Sequence, residues 1–466
     1  MTPDQIVFSG ATRSNLNVDS GTELEVCSGG MAVATTVFSG GLESPVAGAL
    51  VESVTVMAGG YLVGSGQLGG TSDIYGVVNG VTVVRSGLEG QPYSMIVMSG
   101  GKAINVTLAG GAFDMVSAGG AASGGLIEGE SVAFDYGVMS GAVVSSGDIF
   151  VQAGGTAHGD VIENGGYEVV DWSGDASAGM AGGVASHETV RSGGVLRISS
   201  AGEALATAVA SGGIESIAGG AKANGTVLYA GYEYDYGHAS GTIVRFKGEE
   251  MVEAGGVTTA SVISAGGREI VQAGGVANGA TVSAGGELLL SSGAEFYGAL
   301  GIAGGKAVIS GAMGWSQSVN FGSSGVLQLE NPADFHAKVS GMSDAAQQID
   351  LAGFADSASE RLYWAQTGTS GTLSVVDGAE TAQLMLVGTY AKSDFHLATD
   401  GNGGTFVAVA PPASAAAVTG REAAGFVQAM AVFGGGAQQP AFAVDRSRDV
   451  GLMGFPALAP SPSSGR

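Results

Sequence analysis

Short apolar segments alternate with glycine pairs along most of this chain, and the pattern is clearest between Gly255 and Gly305. The glycines that close each segment are Gly255, Gly266, Gly274, Gly285, Gly293 and Gly304, so steps of 11 and 8 alternate and the pattern repeats every 19 residues. Inside a unit the text reads Val262-Ile263-Ser264-Ala265-Gly266-Gly267, then Ile270-Val271-Gln272-Ala273-Gly274-Gly275. Apolar positions are rich in β-branched residues and follow period two, and each glycine would cost a helix about 1 kcal/mol. Each unit therefore predicts two short strands and two turns. A unit of this size cannot bury its own apolar side and must stack on the next. The predicted fold is all-β, an extended parallel β-solenoid (β-helix), with glycine pairs at corners that need positive φ and close backbone approach.

The same template is present earlier in looser form, at Val26-Cys27-Ser28-Gly29-Gly30, Val37-Phe38-Ser39-Gly40-Gly41 and Val56-Met57-Ala58-Gly59-Gly60. Between residues 61 and 150 the register drifts, which predicts corner insertions; from Gly154 the rhythm resumes. One solenoid over residues 1–322 would have roughly 16 coils and a length of about 75 Å. Residues 323–410 lose the glycine pairs but keep strand-like runs, among them Val326 to Leu329, Thr372 to Val376 and Thr405 to Val409. These predict a β-rich C-terminal cap covering strand edges that would otherwise invite aggregation. Residues 411–466 read as a linker, a short amphipathic helix from Arg421 to Phe433 and a disordered tail.

Composition narrows the function. There are 85 glycines, 10 prolines and 45% apolar residues, which fits neither collagen nor disorder. A net charge of −25 with only 17 basic residues argues against nucleic acid as a partner. Cys27 is the single cysteine, so no intramolecular disulfide forms. No apolar run reaches the roughly 18 residues of a membrane span, and the start, Met1-Thr2-Pro3-Asp4-Gln5, has no recognisable signal-peptide pattern.

The unit Val276-Ala277-Asn278-Gly279-Ala280-Thr281-Val282-Ser283-Ala284-Gly285-Gly286, like the one from Gly182 to Gly194, resembles the strand-loop-strand repeat of AIDA-type autotransporter adhesin passengers. The stretch from Gly371 to Gly378, continuing to Asp400-Gly401-Asn402-Gly403-Gly404-Thr405, resembles a module that follows such repeats in bacterial surface proteins. The resemblance implies a secreted or bacterial cell-surface protein for adhesion or aggregation. It also implies surface glycans, proteins or further copies as partners, and modification on Ser and Thr by a protein glycosyltransferase.

Two sets of residues are candidates for such contacts. Tyr75, Tyr136, Tyr236 and Tyr297 each precede a glycine at intervals of 61, 100 and 61, close to whole numbers of coils. On one side of a rod their rings could stack on sugars; equally, they could form a structural ladder at a corner. Thr36, Thr82, Thr189, Thr226, Thr242 and Thr281 each precede Val or Ile. If the aliphatic neighbour is buried, the hydroxyl points outward and could accept a glycan, or simply serve β-propensity on a solvated strand. The five histidines are scattered and suggest no metal-ligand pair. Glu249, Glu250 and Glu253 read as a solvated acidic face, and Asp400 with Asn402 as a glycine-rich turn. No catalytic residue, cofactor site or metal site is expected. The alternative is a solenoid polysaccharide lyase or hydrolase, whose carboxylates would converge in a groove within residues 61–150. A structural matrix protein would differ from an adhesin only in its partner.

Overall fold

The structure, a computed structural model, describes residues 3–85, 93–170, 182–264, 266–355 and 360–409. The chain divides into residues 1–412 and 413–466. The expected helix from Arg421 to Phe433 and the tail lie outside the described residues.

Residues 5–351 wind into a parallel β-solenoid of about 17 turns. Gln5–Val7 pairs with Glu23–Val26, which pairs with Leu42–Pro45, each step advancing 19 residues in parallel register. Through the first thirteen coils a turn has three strands, as in Glu23–Val26, Met31–Val33 and Thr36–Val37. From Val257–Ile263, which pairs with both His238–Ser240 and Ile243–Arg245, two sides fuse and each coil has two strands. The stretch that displays the rhythm most plainly is thus the two-stranded part. In both parts the longer run carries one residue in the left-handed region, such as Ala34 (φ 56°) or Ala206 (φ 56°) in the three-stranded coils and Ala260 (φ 58°) in the fused strand. That position needs no glycine, so the glycine pattern does not mark it.

Strand alternation sends every second side chain inward. Val18, Val37, Val56, Ile74, Val97 and Val116 stack on one wall at successive coils, all fully buried. Each such aliphatic contributes about 1.5–3 kcal/mol relative to exposure. The glycine pair turns the corner by a division of labour. Gly40 takes φ 79°, whereas a Cβ on Gly41 would lie 2.4 Å from the Val18 carbonyl oxygen of the coil below.

The drift after residue 61 is a slip of the repeat around the rod. In early coils the four-residue strands, Glu23–Val26 and Leu42–Pro45, belong to the first sheet. Three-residue strands then stack on them, Tyr61–Val63, Val77–Asn79 and Lys102–Ile104. From Phe113–Val116 onward the four-residue strand belongs to the third sheet. Tyr61 accordingly pairs with Val77, only 16 residues on, while Ser72 pairs with Met95, 23 on.

Parallel stacking continues past residue 322 to Lys338–Ser340 and Gln347–Leu351. There Glu380–Val387 pairs with the first of these and Thr405–Val409 with the second, covering their open edges. Arg361–Thr367, Ser370–Asp377 and Glu380–Val387 form an antiparallel meander. Trp364, Tyr390 and Phe395 pack at centroid distances of 5.1–5.6 Å beside it.

Candidate functional site

Most of the candidate residues lie on the outer surface of the rod. Tyr75, Tyr136 and Tyr236 each follow the last residue of a third-sheet strand and donate their backbone N–H to the coil below, so they share one edge of the rod. They are three and five coils apart and form no continuous ladder. Tyr297 stands elsewhere, stacked over Asn278 on the first sheet. The edge is most apolar at its early end, where Phe38, Met57, Tyr75 and Met98 occupy successive coils; the first three are 37–39% exposed.

The threonines divide. Thr36, Thr82, Thr189 and Thr281 point outward beside fully buried Val37, Val83, Val190 and Val282. Thr226 and Thr242 point inward and are 1% exposed, contrary to the expectation from their neighbours; the buried aliphatics there are Leu228 and Val244, one position later. The rule is set by the backbone. The residue directly after the left-handed one faces the interior, as with Ala34 and Thr35, Ala206 and Thr207, Gly225 and Thr226, and Gly241 and Thr242. An interior hydroxyl cannot carry a glycan, so Thr226 and Thr242 leave that set.

Some surface groupings were not legible in the sequence. His158 and His187, distant in sequence, meet edge to face at 5.1 Å, and His158 Nδ1 lies 3.0 Å from Ser186 Oγ. Tyr229 stacks on Phe246 at 6.0 Å with Arg245 over the tyrosine ring. Trp315 lies flat on His336 at 4.8 Å. Asp400 forms the expected turn, its Oδ1 accepting the N–H groups of Asn402 and Gly404.

The interior holds the larger surprise. Glu215, Glu233, Glu250 and Glu269 occupy one position on four consecutive third-sheet strands, in register and fully buried. Glu250 is therefore an interior residue and no part of a solvated face. Facing this ladder stands a file of hydroxyls, Thr207, Thr226, Thr242 and Ser261. Thr226 donates to Glu215 at 2.9 Å, Thr242 to Glu233 at 3.2 Å, and Thr258 and Ser261 to Glu250 at 3.0 and 3.3 Å. In-register strands stand about 4.8 Å apart, and two ionised carboxylates at that spacing repel by about 3 kcal/mol at an effective dielectric near 20. Desolvation adds to this, so the ladder holds protons at neutral pH. Burial raises Glu215 and Glu250 to about 7, and raises Glu233 and Glu269 well above the usual range, with help from neighbouring carboxylates.

A buried hydroxyl and a buried acid also stand near each other singly at Thr35 and Glu43, where burial raises Glu43 to about 8 against the weaker opposing pull of the Thr35 hydroxyl. The sequence signal was present. A glutamate two residues before a buried aliphatic, as in Glu215 and Ile217 or Glu250 and Val252, shares its inward face. A cavity of about 20 Å³ beside Asp114, lined by Leu108, Ile127 and Met139, is of water size rather than substrate size.

No protein-family model matches the chain, and no curated protein matches it. Among solved structures, the chain is similar to a TibA fragment described as hyper-glycosylated by TibC catalysis. The two are 26% identical over 68% of this chain and 94% of that one, with a TM-score of 0.36.

Proposed function

We propose that the chain is a secreted or cell-surface, adhesin-like rod that holds its partners by many weak contacts along repeated edges. The observation that carries this reading is the file of Phe38, Met57, Tyr75 and Met98, partly exposed apolar side chains on successive coils. An apolar file on an acidic rod meets a partner at several points at once, and linked weak contacts gain avidity without any deep pocket. Thr36, Thr82, Thr189 and Thr281, outward on their strands, are the positions we assign to O-linked sugar. Tyr75, Tyr136 and Tyr236 mark the edge for glycan contact, with Tyr297 on a separate side. Against a polysaccharide-cleaving reading, the carboxylate trios of the described residues, Asp160 with Glu168 and Glu188, and Glu233 with Asp235 and Glu250, are buried rather than set in an open groove.

Beads coated with the full chain test the reading. Self-aggregation and retention on glycan-coated or cell-coated surfaces should fall several-fold when Phe38, Met57 and Tyr75 are all changed to Ser, with the circular dichroism spectrum unchanged. Undiminished retention by a folded triple variant would overturn the edge as the adhesive element. Intact mass of protein recovered from the cell surface and culture fluid tests the sugar assignment, which predicts sugar-sized increments. Unmodified protein confined to the cytosol would overturn the assignment and redirect the search to polysaccharide cleavage.

A further inference from the structure

Three carboxylates converge inside the rod at Asp160, Glu168 and Glu188. One oxygen from each lies within 4.8 Å of the others, and all three residues are fully buried. Two of them are held in place by backbone donors. Asp160 Oδ1 accepts the N–H of Ala142 at 2.7 Å, and Glu188 accepts the N–H groups of Asp160 and Ser186. Glu168 is different: among the described residues neither of its oxygens meets a hydrogen-bond donor, nor does Asp160 Oδ2. The charged groups acting on Glu168 are the carboxylates of Glu188, Asp160 and Asp135. The ion pairs of the described residues, Arg191 with Glu163 and Arg268 with Glu249 and Glu287, lie on the outer surface.

A fully buried carboxylate aimed at two others, with no donor for either oxygen, is complementary to a hard cation. Calcium takes oxygen ligands at 2.3–2.6 Å, so two ligands of one ion stand no more than about 5 Å apart. The observed spacing meets that limit. Zinc favours sites built with nitrogen or sulfur ligands, and magnesium keeps several of its own waters, whereas calcium takes an all-carboxylate set readily. We propose that Asp160, Glu168 and Glu188 form a calcium site inside the rod, and that Glu233, Asp235 and Glu250 form a second of the same kind. The second lies three coils further along. There, among the described residues, the oxygens of Asp235 meet only the carboxyl groups of Glu233 and Glu250. One divalent ion and one proton neutralise each trio. Because the walls are closed, the ion enters as the coils wind, so the site forms with the fold.

The test uses the full chain, refolded from urea in buffer containing calcium, magnesium or a chelator, then desalted. Metal analysis should find about two calcium ions retained per chain, and thermal unfolding should occur at higher temperature with calcium than with magnesium or chelator. Glu168→Gln should retain about one ion, while Glu43→Gln, a buried acid remote from both trios, should retain the wild-type number. Terbium in place of calcium gives a reading on wild-type protein alone. Luminescence lifetimes in H2O and D2O should report an ion with few bound waters. A wild-type chain that retains no calcium and unfolds identically in all three buffers overturns the proposal. So does a Glu168→Gln chain retaining as much as wild type, or terbium as hydrated as on an open surface, since either means an adventitious ion only. Where Glu168→Gln fails to refold, the terbium lifetime decides.

Discussion

Glu43 shows in isolation what the ladder does collectively. Its carboxyl sits among aliphatic side chains with the Thr35 hydroxyl beside it, and burial lifts it from 4.5 to about 8. The folded chain therefore binds a proton there that the unfolded chain releases above about pH 4.5. Stability from the neutral acid is complete below that pH and is lost as pH rises toward 8. Glu43→Gln mimics the neutral acid at every pH. It should match wild type near pH 5 and be more stable at pH 8, by up to roughly 4 kcal/mol, in urea denaturation at the two values. Equal destabilisation at both pH values would mean that Glu43 is ionised in the fold. Glycines offer a second contrast at this scale. Gly21 has φ 78° with open space around its missing Cβ, whereas Gly41 abuts a carbonyl oxygen of the next coil. Gly21→Ala should cost about 1–2 kcal/mol from backbone strain alone. Gly41→Ala should cost more, because whole coils must part to admit one methyl group. Comparing the two urea midpoints checks this order.

Each coil touches only the coils above and below, so the coil is the unit of both stability and error. Removing residues 208–226 joins Thr207 to Val227, replacing one coil step by its equivalent. The shortened chain should keep the parallel-sheet circular dichroism signal and a cooperative melt. Removing residues 208–217 alone takes out half a coil, misaligns every inward side chain above the cut and should abolish that melt. The stacking was legible in the sequence because glycine pairs recur wherever two corners must turn. The third strand was not, because a left-handed Ala34 or Ala206 looks like any strand residue. Nor was the inward turn of Thr226 and Thr242, which depends on that same hidden residue. The slip between residues 61 and 113 reads as irregular spacing in the text, yet in space it keeps the pairing and only moves the long strand to another side.

For the whole molecule, the formal charge of −25 counts acids that lie inside the wall, among them Glu43, Asp114, Glu215 and Glu269. Composition alone cannot separate these from the surface charge, so the buried acids were not legible in it although the solenoid was. The outward edges were partly legible. Tyrosine spacing near multiples of the repeat identified Tyr75, Tyr136 and Tyr236 as one edge, and failed for Tyr297 because the equivalent corner three coils beyond Tyr236 is occupied by Ser291, which leaves Tyr297 on the first sheet.

The corner hydrogen bonds have a mechanical meaning. Gly10 N–H donates to Gly29, Gly29 to Gly48, Gly21 to Gly40 and Gly40 to Gly59, so these bonds run in files along the axis. Tension applied between the two ends of the stack loads those files lengthwise and opens them one coil at a time. Each peeled coil frees about 19 residues, a gain of about 60 Å in contour length after subtracting the coil's own rise. Under flow or traction such a stack would lengthen in even steps at near-constant force, dissipating work along its own length.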